Sequence, residues 1–470
     1  MRNASMNRSA APLVALGLLS ACAGPPAGTP PPSACVFAGA PEVVLSGDGG
    51  WCWFQDPRVV FHRGKLVAGS VANGGKDPSR KGDIEAIVHD PDAGTIETFE
   101  LHDRLQPDDH DVPAFLARPD GSLLAMYAKH GGENCFHVRV SEPGDPARWG
   151  PEREVVPSPS TRITYQNLFA LSAENGRVYA FFRGFDGSMK PSVMVSDDHG
   201  GTWSGGQVVI RSPAVRPYVR YASNGRDTIH LFYTEGHPRD FDNSVYHLYY
   251  RGGRLHRTDG TPIRSLAGGL LGPDEGTRIF AGDADHVGWP CDAELDAQGR
   301  PRVVYSVQVG SGGKPRPEHG HDHRFRFARW DGARWRDAEI AFAGTKLYAG
   351  EDDYTGLAAL DPDDPDALCI STNVDPVSGA PLVSRADGKP HHELFAGRTR
   401  DGGATWAWTP LTRDSAVENL RPIIPPGDGT HRALLWLRGR FSAFTDYDQE
   451  IVARIVTHPA SPGGRRPPDR

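Results

Sequence analysis

The sequence predicts an all-β protein: a seven-bladed β-propeller of four-stranded antiparallel blades, with six blades as the alternative. Three observations predict it. One eight-residue pattern occurs twice, as Ser196-Asp-Asp198-His-Gly200-Gly-Thr202-Trp203 and as Thr399-Arg-Asp401-Gly-Gly403-Ala-Thr405-Trp406. Short apolar runs such as Arg177-Val-Tyr-Ala-Phe-Phe182, Thr228-Ile-His-Leu-Phe-Tyr233 and Pro301-Arg-Val-Val-Tyr305 are bounded by Gly, Asp or Pro. Helical periodicity is nearly absent, in a chain holding 55 Gly and 41 Pro. Such runs read as short strands joined by tight turns. A hairpin signature repeated far apart in one chain implies a radial repeat.

The repeated pattern reads Ser/Thr-x-Asp-x-Gly-x-Thr-Trp. Its Asp is expected to accept hydrogen bonds from backbone N–H groups of a tight turn. Its Gly permits an unusual φ, and its Trp packs under the hairpin. It resembles the Asp-box, or BNR repeat, of sialidase-like propellers, which marks a scaffold and not a reaction. Asp198 and Asp401 are 203 positions apart, three or four blades at about 45–65 residues each. Fainter hairpin echoes lie at residues 89–95, 148–150, 250–255 and 330–335. An Asp/Asn–Gly turn before a strand recurs at 119–122, 173–176, 223–225 and 296–299. A first strand around Arg58 to His62 and a last around Glu450 to Val456 are expected to share one blade and close the ring, removing exposed edges.

The ends read differently. Arg2 and Arg8 precede a short apolar run, Ala10 to Leu19, and Leu19-Ser-Ala-Cys22 has the form of a bacterial lipobox. Residues 1–21 are read as a lipoprotein signal peptide with Cys22 lipidated; an ordinary signal peptide is the alternative. Residues 22–35 form a Pro/Gly-rich tether, 36–459 a single propeller domain, and 460–470 a disordered tail. This places the protein in the bacterial cell envelope, lipid-anchored at the surface or facing the periplasm, and otherwise secreted. Contact with membrane is expected only through the anchor. The net charge of −8 argues against nucleic acid as a partner. An anionic polysaccharide or oligosaccharide remains compatible, because a local Arg/His cluster can invert the potential of a pocket. Besides Cys22 there are five cysteines and no CxxC pattern, so at least one thiol is left unpaired or ligates a metal. The protein is expected to be a monomer.

Nine segments in order resemble the BNR-4 group of secreted propellers, which includes propeller-type ulvan lyases: residues 47–58, 108–113, 129–132, 216–222, 234–239, 322–324, 351–354, 371–376 and 419–423. Each is a polar cluster interrupting an apolar strand pattern, as expected of groups that converge on a central funnel. The resemblance implies a polysaccharide lyase acting on a uronate by β-elimination. That reaction neutralises the C5 carboxylate, removes its α-proton and protonates the leaving O4. By resemblance the catalytic residues are His110, His130, Tyr165 and Arg183: Arg183 and His130 neutralise the uronate, and Tyr165 and His110 exchange the protons. Arg58, Asn167, Arg216, Arg220, Tyr221, Asp353, Tyr354 and Arg421 are the substrate-binding candidates, with Arg216 or Arg220 as an alternative clamp. No cofactor is required for the chemistry. A structural zinc near the site is implied, with His237, Cys291, His321 and His323 as its candidate ligands. Two other classes compete. A sialidase would use an arginine triad, to which Gln55-Asp-Pro-Arg58 bears a faint likeness. A non-catalytic glycan-binding propeller would use Trp51, Trp53, Phe54, Trp289 and Trp436 for sugar stacking rather than core packing.

Overall fold

The computed structural model describes residues 35–158, 162–185, 189–213, 216–270 and 272–457. The expected signal peptide, Cys22, the tether up to Ala34 and the tail lie outside the described residues. Seven antiparallel sheets follow one another along the chain. Blade 1 comprises Val59–His62, Lys65–Val71, Ile84–Asp90 and Thr95–His102. Blade 2 comprises Ala114–Ala117, Leu123–Tyr127, Phe136–Glu142 and Arg153–Val155, with Asp145–Trp149 beside its third strand. Blade 3 comprises Thr164–Leu171, Arg177–Phe185, Lys190–Ser196 and Gln207–Val208. Blade 4 starts with Val219–Ser223, Thr228–Tyr233, Val245–Arg251 and Arg254–His256, and adds Pro262–Ser265 and Thr277–Phe280. Blade 5 is His286–Leu295, Pro301–Val309, His323–Trp330 and Trp335–Gly344. Blade 6 is Ala358–Leu360, Ala367–Thr372, Glu393–Arg398 and Ala407–Pro410. Blade 7 is Glu418–Ile423, His431–Ala443 and Asp446–Thr457, completed by Glu42–Ser46.

The expectation of seven blades holds, and the ring closes within one blade. The closing strand differs: Glu42–Ser46 pairs with Asp446–Thr457, whereas Val59–His62 opens blade 1. The sequence reading missed it because Glu42-Val-Val-Leu-Ser46 is short and precedes a polar Gly-rich stretch. Once paired, it covers the edge that the last strand would otherwise expose.

The hairpin signals fall where a meander needs them. Both Asp-boxes join the third strand of a blade to the fourth, in blades 3 and 6. Asp198 accepts from the Thr202 N–H (2.7 Å) and hydroxyl (2.8 Å), and the Gly200 N–H reaches Ser196 Oγ at 2.8 Å. Asp401 repeats this with Thr405 at 2.9 and 2.6 Å, and Gly403 with Thr399 at 2.8 Å. Trp406 packs edge-on against Phe327 of blade 5, with ring centroids 5.3 Å apart. The Asp-box Trp therefore helps fasten neighbouring blades as well as its own turn. Asp90 and Asp331 cap the corresponding turns of blades 1 and 5 through backbone N–H groups.

Residues 50–57 fill the channel. Cys52 N–H donates to the Asp109 carbonyl (2.9 Å), Trp51 Nε1 to Arg421 O (3.1 Å), Trp53 Nε1 to Pro290 O (3.3 Å), and Leu168 N–H to Asp56 O (2.9 Å). One segment thus bonds to blades 3, 5 and 7 and to the turn before blade 2. Trp51 and Cys52 are fully buried, and Trp53 and Phe54 nearly so. The Trp-Cys-Trp-Phe run and Trp436 are packing elements. Trp289 joins them, its ring 5.0 Å from Trp53 and 5.2 Å from Tyr218. Burial removes these rings from sugar stacking.

Candidate active site

In a meander the start of the first strand and the end of the second lie at the same end of the blade. His110 lies in the short 3₁₀ turn Asp109–Asp111 just before the first strand of blade 2, and His130 follows that blade's second strand. Tyr165 is the second residue of the first strand of blade 3. Arg183 lies near the end of its second strand, opposite Thr164. The topology therefore delivers all four predicted catalytic residues to one end of two adjacent blades.

They meet there. The His110 and His130 rings stack face to face, 4.0 Å between centroids and 7° between planes. The Tyr165 ring lies 5.5 Å from His110 and 6.0 Å from His130. Arg183 Nη2 is 3.4 Å from His130 Nε2, and its guanidinium sits 4.4 Å over the Tyr165 ring and 5.2 Å over Tyr218. Tyr165 holds φ at +62° where the first strand of blade 3 bulges. A left-handed conformation at a bulky residue is costly and persists only when its surroundings enforce it. Here it occurs where the ring turns toward the histidines.

Asp108 organises the cluster. Its Oδ1 lies 2.7 Å from His110 Nδ1 and its Oδ2 3.0 Å from His130 Nδ1, so one carboxylate pins two imidazoles. Asp109 Oδ1 adds a second carboxylate 2.9 Å from His110 Nδ1. Two stacked imidazoles cannot both carry charge cheaply, and their protonation is driven apart. For His110, burial opposes charge, but the facing groups raise its pKa well above the ordinary value. Those groups are Cys52 and Tyr165, then Asp108 and Asp109. For His130, burial and then the His110 charge push the pKa down to about 4. His110 is thus the cation and His130 the neutral imidazole. Burial opposes the Asp108 charge as well, yet the two histidines hold its carboxyl well below the usual range. Burial lifts the Tyr165 phenol well above its ordinary value, so it keeps its proton. His130 is the accessible member, its side chain 23% exposed against 3% for His110. Beside the cluster a small cleft of about 20 Å³ lies between blades 3 and 4, lined by Tyr165, Arg183, Tyr218 and Tyr221 among others.

Most predicted substrate-binding residues do other work. Arg58 donates to the Cys52 carbonyl at 2.6 Å and pairs with Asp56. Arg220 pairs with Asp56 (2.5 Å) and Asp292 (2.7 Å). Arg421, 1% exposed, pairs with Asp109 at 2.5 Å. Asn167 donates to the Phe54 and Tyr165 carbonyls, both at 2.9 Å. These four hold the channel segment and the Tyr165 bulge. Tyr354 packs 5.0 Å from Trp53, and Asp353 accepts from Gln308 Nε2 at 2.8 Å. Both are buried. Tyr221 lines the cleft, its ring packed 4.7 Å from Phe181. Arg216, half-buried, faces Asp240 at 3.3 Å. Arg183 is different: among the described residues it has no carboxylate partner, and its Nε and Nη1 have no hydrogen-bond partner.

The predicted metal ligands do not assemble. None of His237, Cys291, His321 and His323 belongs to a group of three ligand atoms within 4.8 Å of one another among the described residues. His237 lies 3.8 Å from Glu351, Cys291 is buried in the first strand of blade 5, His323 is buried at the start of its third strand, and His321 is exposed. They come from blades 4 and 5, and their ligand atoms are not gathered within 4.8 Å of one another among the described residues. All five described thiols are free. Sequence reasoning passed over Asp108 and Tyr218, although both stand inside quoted motifs. The signal for Asp108 was its place two residues before His110, within reach of the same turn.

The profile of the BNR repeat-containing family matches residues 82–343. The chain belongs to this family. No curated protein matches it. Among solved structures it resembles a PL25 ulvan lyase, a polysaccharide lyase solved alone and bound to -[GlcA(1-4)Rha3S]-. Each of those two structures shares 16% identity, covers 87% of this chain and 95% of its own, and superposes with a TM-score of 0.61. A protein of unknown function from Dyadobacter fermentans also matches, at 13% identity and TM-score 0.42, over 89% of this chain and 98% of that one. At these identities the likeness establishes the shared propeller fold of this BNR family member and nothing finer.

Proposed function

We infer that this protein is a carbohydrate-active propeller, a polysaccharide lyase that cleaves a uronate-containing, ulvan-like polysaccharide by β-elimination. The observation that carries the reading is the Asp108-bridged histidine pair set against Tyr165 and an Arg183 with no carboxylate of its own. Arg183 would clamp the C5 carboxylate through Nε and Nη1, which have no hydrogen-bond partner, making the α-proton acidic. His130, neutral and held through Nδ1 by Asp108, would take that proton on Nε2. The C5–H electrons form the C4=C5 double bond as the C4–O4 bond breaks, and the Tyr165 phenol would protonate O4. His110, held at Nδ1 by both Asp108 and Asp109, has the part of holding the charge that keeps His130 neutral. His130 thus takes the proton-exchanging part that the resemblance gave to His110.

A sialidase reading loses support because Arg58, Arg220 and Arg421 are committed to Asp56, Asp292, Asp109 and backbone carbonyls. The shared fold with an ulvan lyase supports a glycan substrate without selecting the bond. Action as a monomer in the cell envelope, reached through the lipidated N-terminus, belongs to the same proposal. The test is ultraviolet absorbance of the purified protein with a panel of uronate polysaccharides. Growth of the unsaturated-uronate band supports the lyase. Release of reducing sugar without that band, or retention of glycan without turnover, overturns it.

A further inference from the structure

A second cluster of ligating side chains lies at the seam of blades 1 and 2, apart from the proposed catalytic group. His102 ends the last strand of blade 1, His137 lies in the third strand of blade 2, and Glu152 precedes the last strand of blade 2. Glu152 Oε2 is 2.8 Å from His102 Nδ1, and Oε1 is 3.0 Å from His137 Nδ1. The two rings stand 4.9 Å apart at 69°, so their Nδ1 edges converge on one carboxylate instead of stacking. The far nitrogen of His137 lies 2.9 Å from Glu133 Oε1, and the Tyr127 hydroxyl 2.6 Å from Glu152 Oε2.

We propose that His102, His137 and Glu152 form a zinc site that ties blade 1 to blade 2. Two imidazoles and one carboxylate are a three-ligand zinc set. Around zinc, ligand atoms at about 2.1 Å lie roughly 3.4 Å from one another. The three ligand atoms here lie within 4.8 Å of one another, and an ion would replace the two nitrogen–carboxylate hydrogen bonds of 2.8 and 3.0 Å, which lengthen by small side-chain rotations as it inserts. A carboxylate on the remote nitrogen of a ligating histidine fixes its tautomer and strengthens it as a donor; Glu133 stands at that position. His102 is 26% exposed, which gives an ion a path from solvent and leaves a fourth position for water. Glu133 lies three residues after His130, and its carbonyl accepts from Ile163 N–H at 3.2 Å. The site therefore anchors the segment that presents His130.

The test is zinc titration of the metal-stripped full chain, followed by calorimetry and thermal melting. The wild type is expected to bind one equivalent and to melt at a higher temperature with zinc. His102→Asn and Glu152→Gln should each weaken binding by about tenfold or more. Asp108→Asn, which alters the other histidine cluster, should bind zinc as the wild type does. If Glu152→Gln fails to fold, the half-exposed His102→Asn carries the test, read by the visible spectrum of bound cobalt(II). No stoichiometric uptake by the wild type, or equal affinity in His102→Asn, overturns the proposal. So does loss of the site on Asp108→Asn alone. None of these readouts depends on lyase activity.

Discussion

Asp198 and Asp108 are the same residue on opposite ends of the ring, used in opposite ways. Asp198 spends its oxygens on its own hairpin, on a threonine four residues away, in the open. Asp108, 2% exposed, spends its two oxygens on imidazoles from two different loops, one of them 22 residues away. The first arrangement is complete within eight residues and needs nothing from the fold. The second exists only once blade 2 has formed, and it becomes useful only beside Tyr165 and Arg183 of blade 3. One end of the ring is thus fastened by local, self-satisfied turns. The other collects buried charge and, at the buried residues Tyr165, Leu357 and Arg421, left-handed backbone. Buried charge and strain of this kind cost stability and are characteristic of functional sites.

The largest effect should come from the exposed member of the Asp108 pair. His130→Ala removes the proposed base and should lower turnover by about 10²–10⁴-fold. The melting temperature should change little, because the ring is partly in solvent and its neighbours keep Asp108. Initial rates in the ultraviolet assay, with circular dichroism alongside, check this. Wild-type turnover would remove His130 from the reaction and leave the histidine pair a structural device.

This contrast explains what could be read from the sequence. The Asp-boxes, the turns at 119–122, 173–176, 223–225 and 296–299, and hence the blade count, were legible because each is a local hydrogen-bonding problem with few residue solutions. His110, His130, Tyr165 and Arg183 were named through family resemblance, and the ring brings them together. Their division of labour was not legible, because exposure and charge are set by packing between blades. Arg58, Arg220 and Arg421 look like ligand arginines in a linear motif. Only the assembled channel pairs them with Asp56, Asp292 and Asp109. The closing strand Glu42–Ser46 was missed for the same reason, since its partner lies some 400 residues away.

A subtler effect separates the two histidines. With a pKa of about 4, His130 is neutral above that pH and protonated below it, so the acid limb of kcat/KM should fall near pH 4. The His110 charge is one of the causes that lower it, after burial. His110→Gln removes that charge, so the limb should move up toward the ordinary imidazole value of 6.5. A rate–pH profile of the folded variant checks the direction. An unmoved limb would mean that His110 carries no charge in the working enzyme.

The smallest effect belongs to the other end of the ring. Asp198→Ala deletes the acceptor for the Thr202 N–H and hydroxyl, both of which water can replace. Only a few degrees of melting temperature should be lost, and kcat should not change. The Asp198 carboxyl is held at about 2, first by the Thr202 N–H and then by the Ser196 and Thr202 hydroxyls. Its contribution is therefore present above the unfolded value of 3.8 and lost as pH falls toward 2, so wild type and variant should converge in acid. Asp401→Ala should behave alike. The two boxes sit in blades 3 and 6 and share no partner, so the double variant should show the sum of the single losses. A double loss much larger than that sum would mean that the two turns cooperate in closing the ring. A change in kcat from either box would mean that the two ends of the ring are coupled, against the separation that their hydrogen bonding describes.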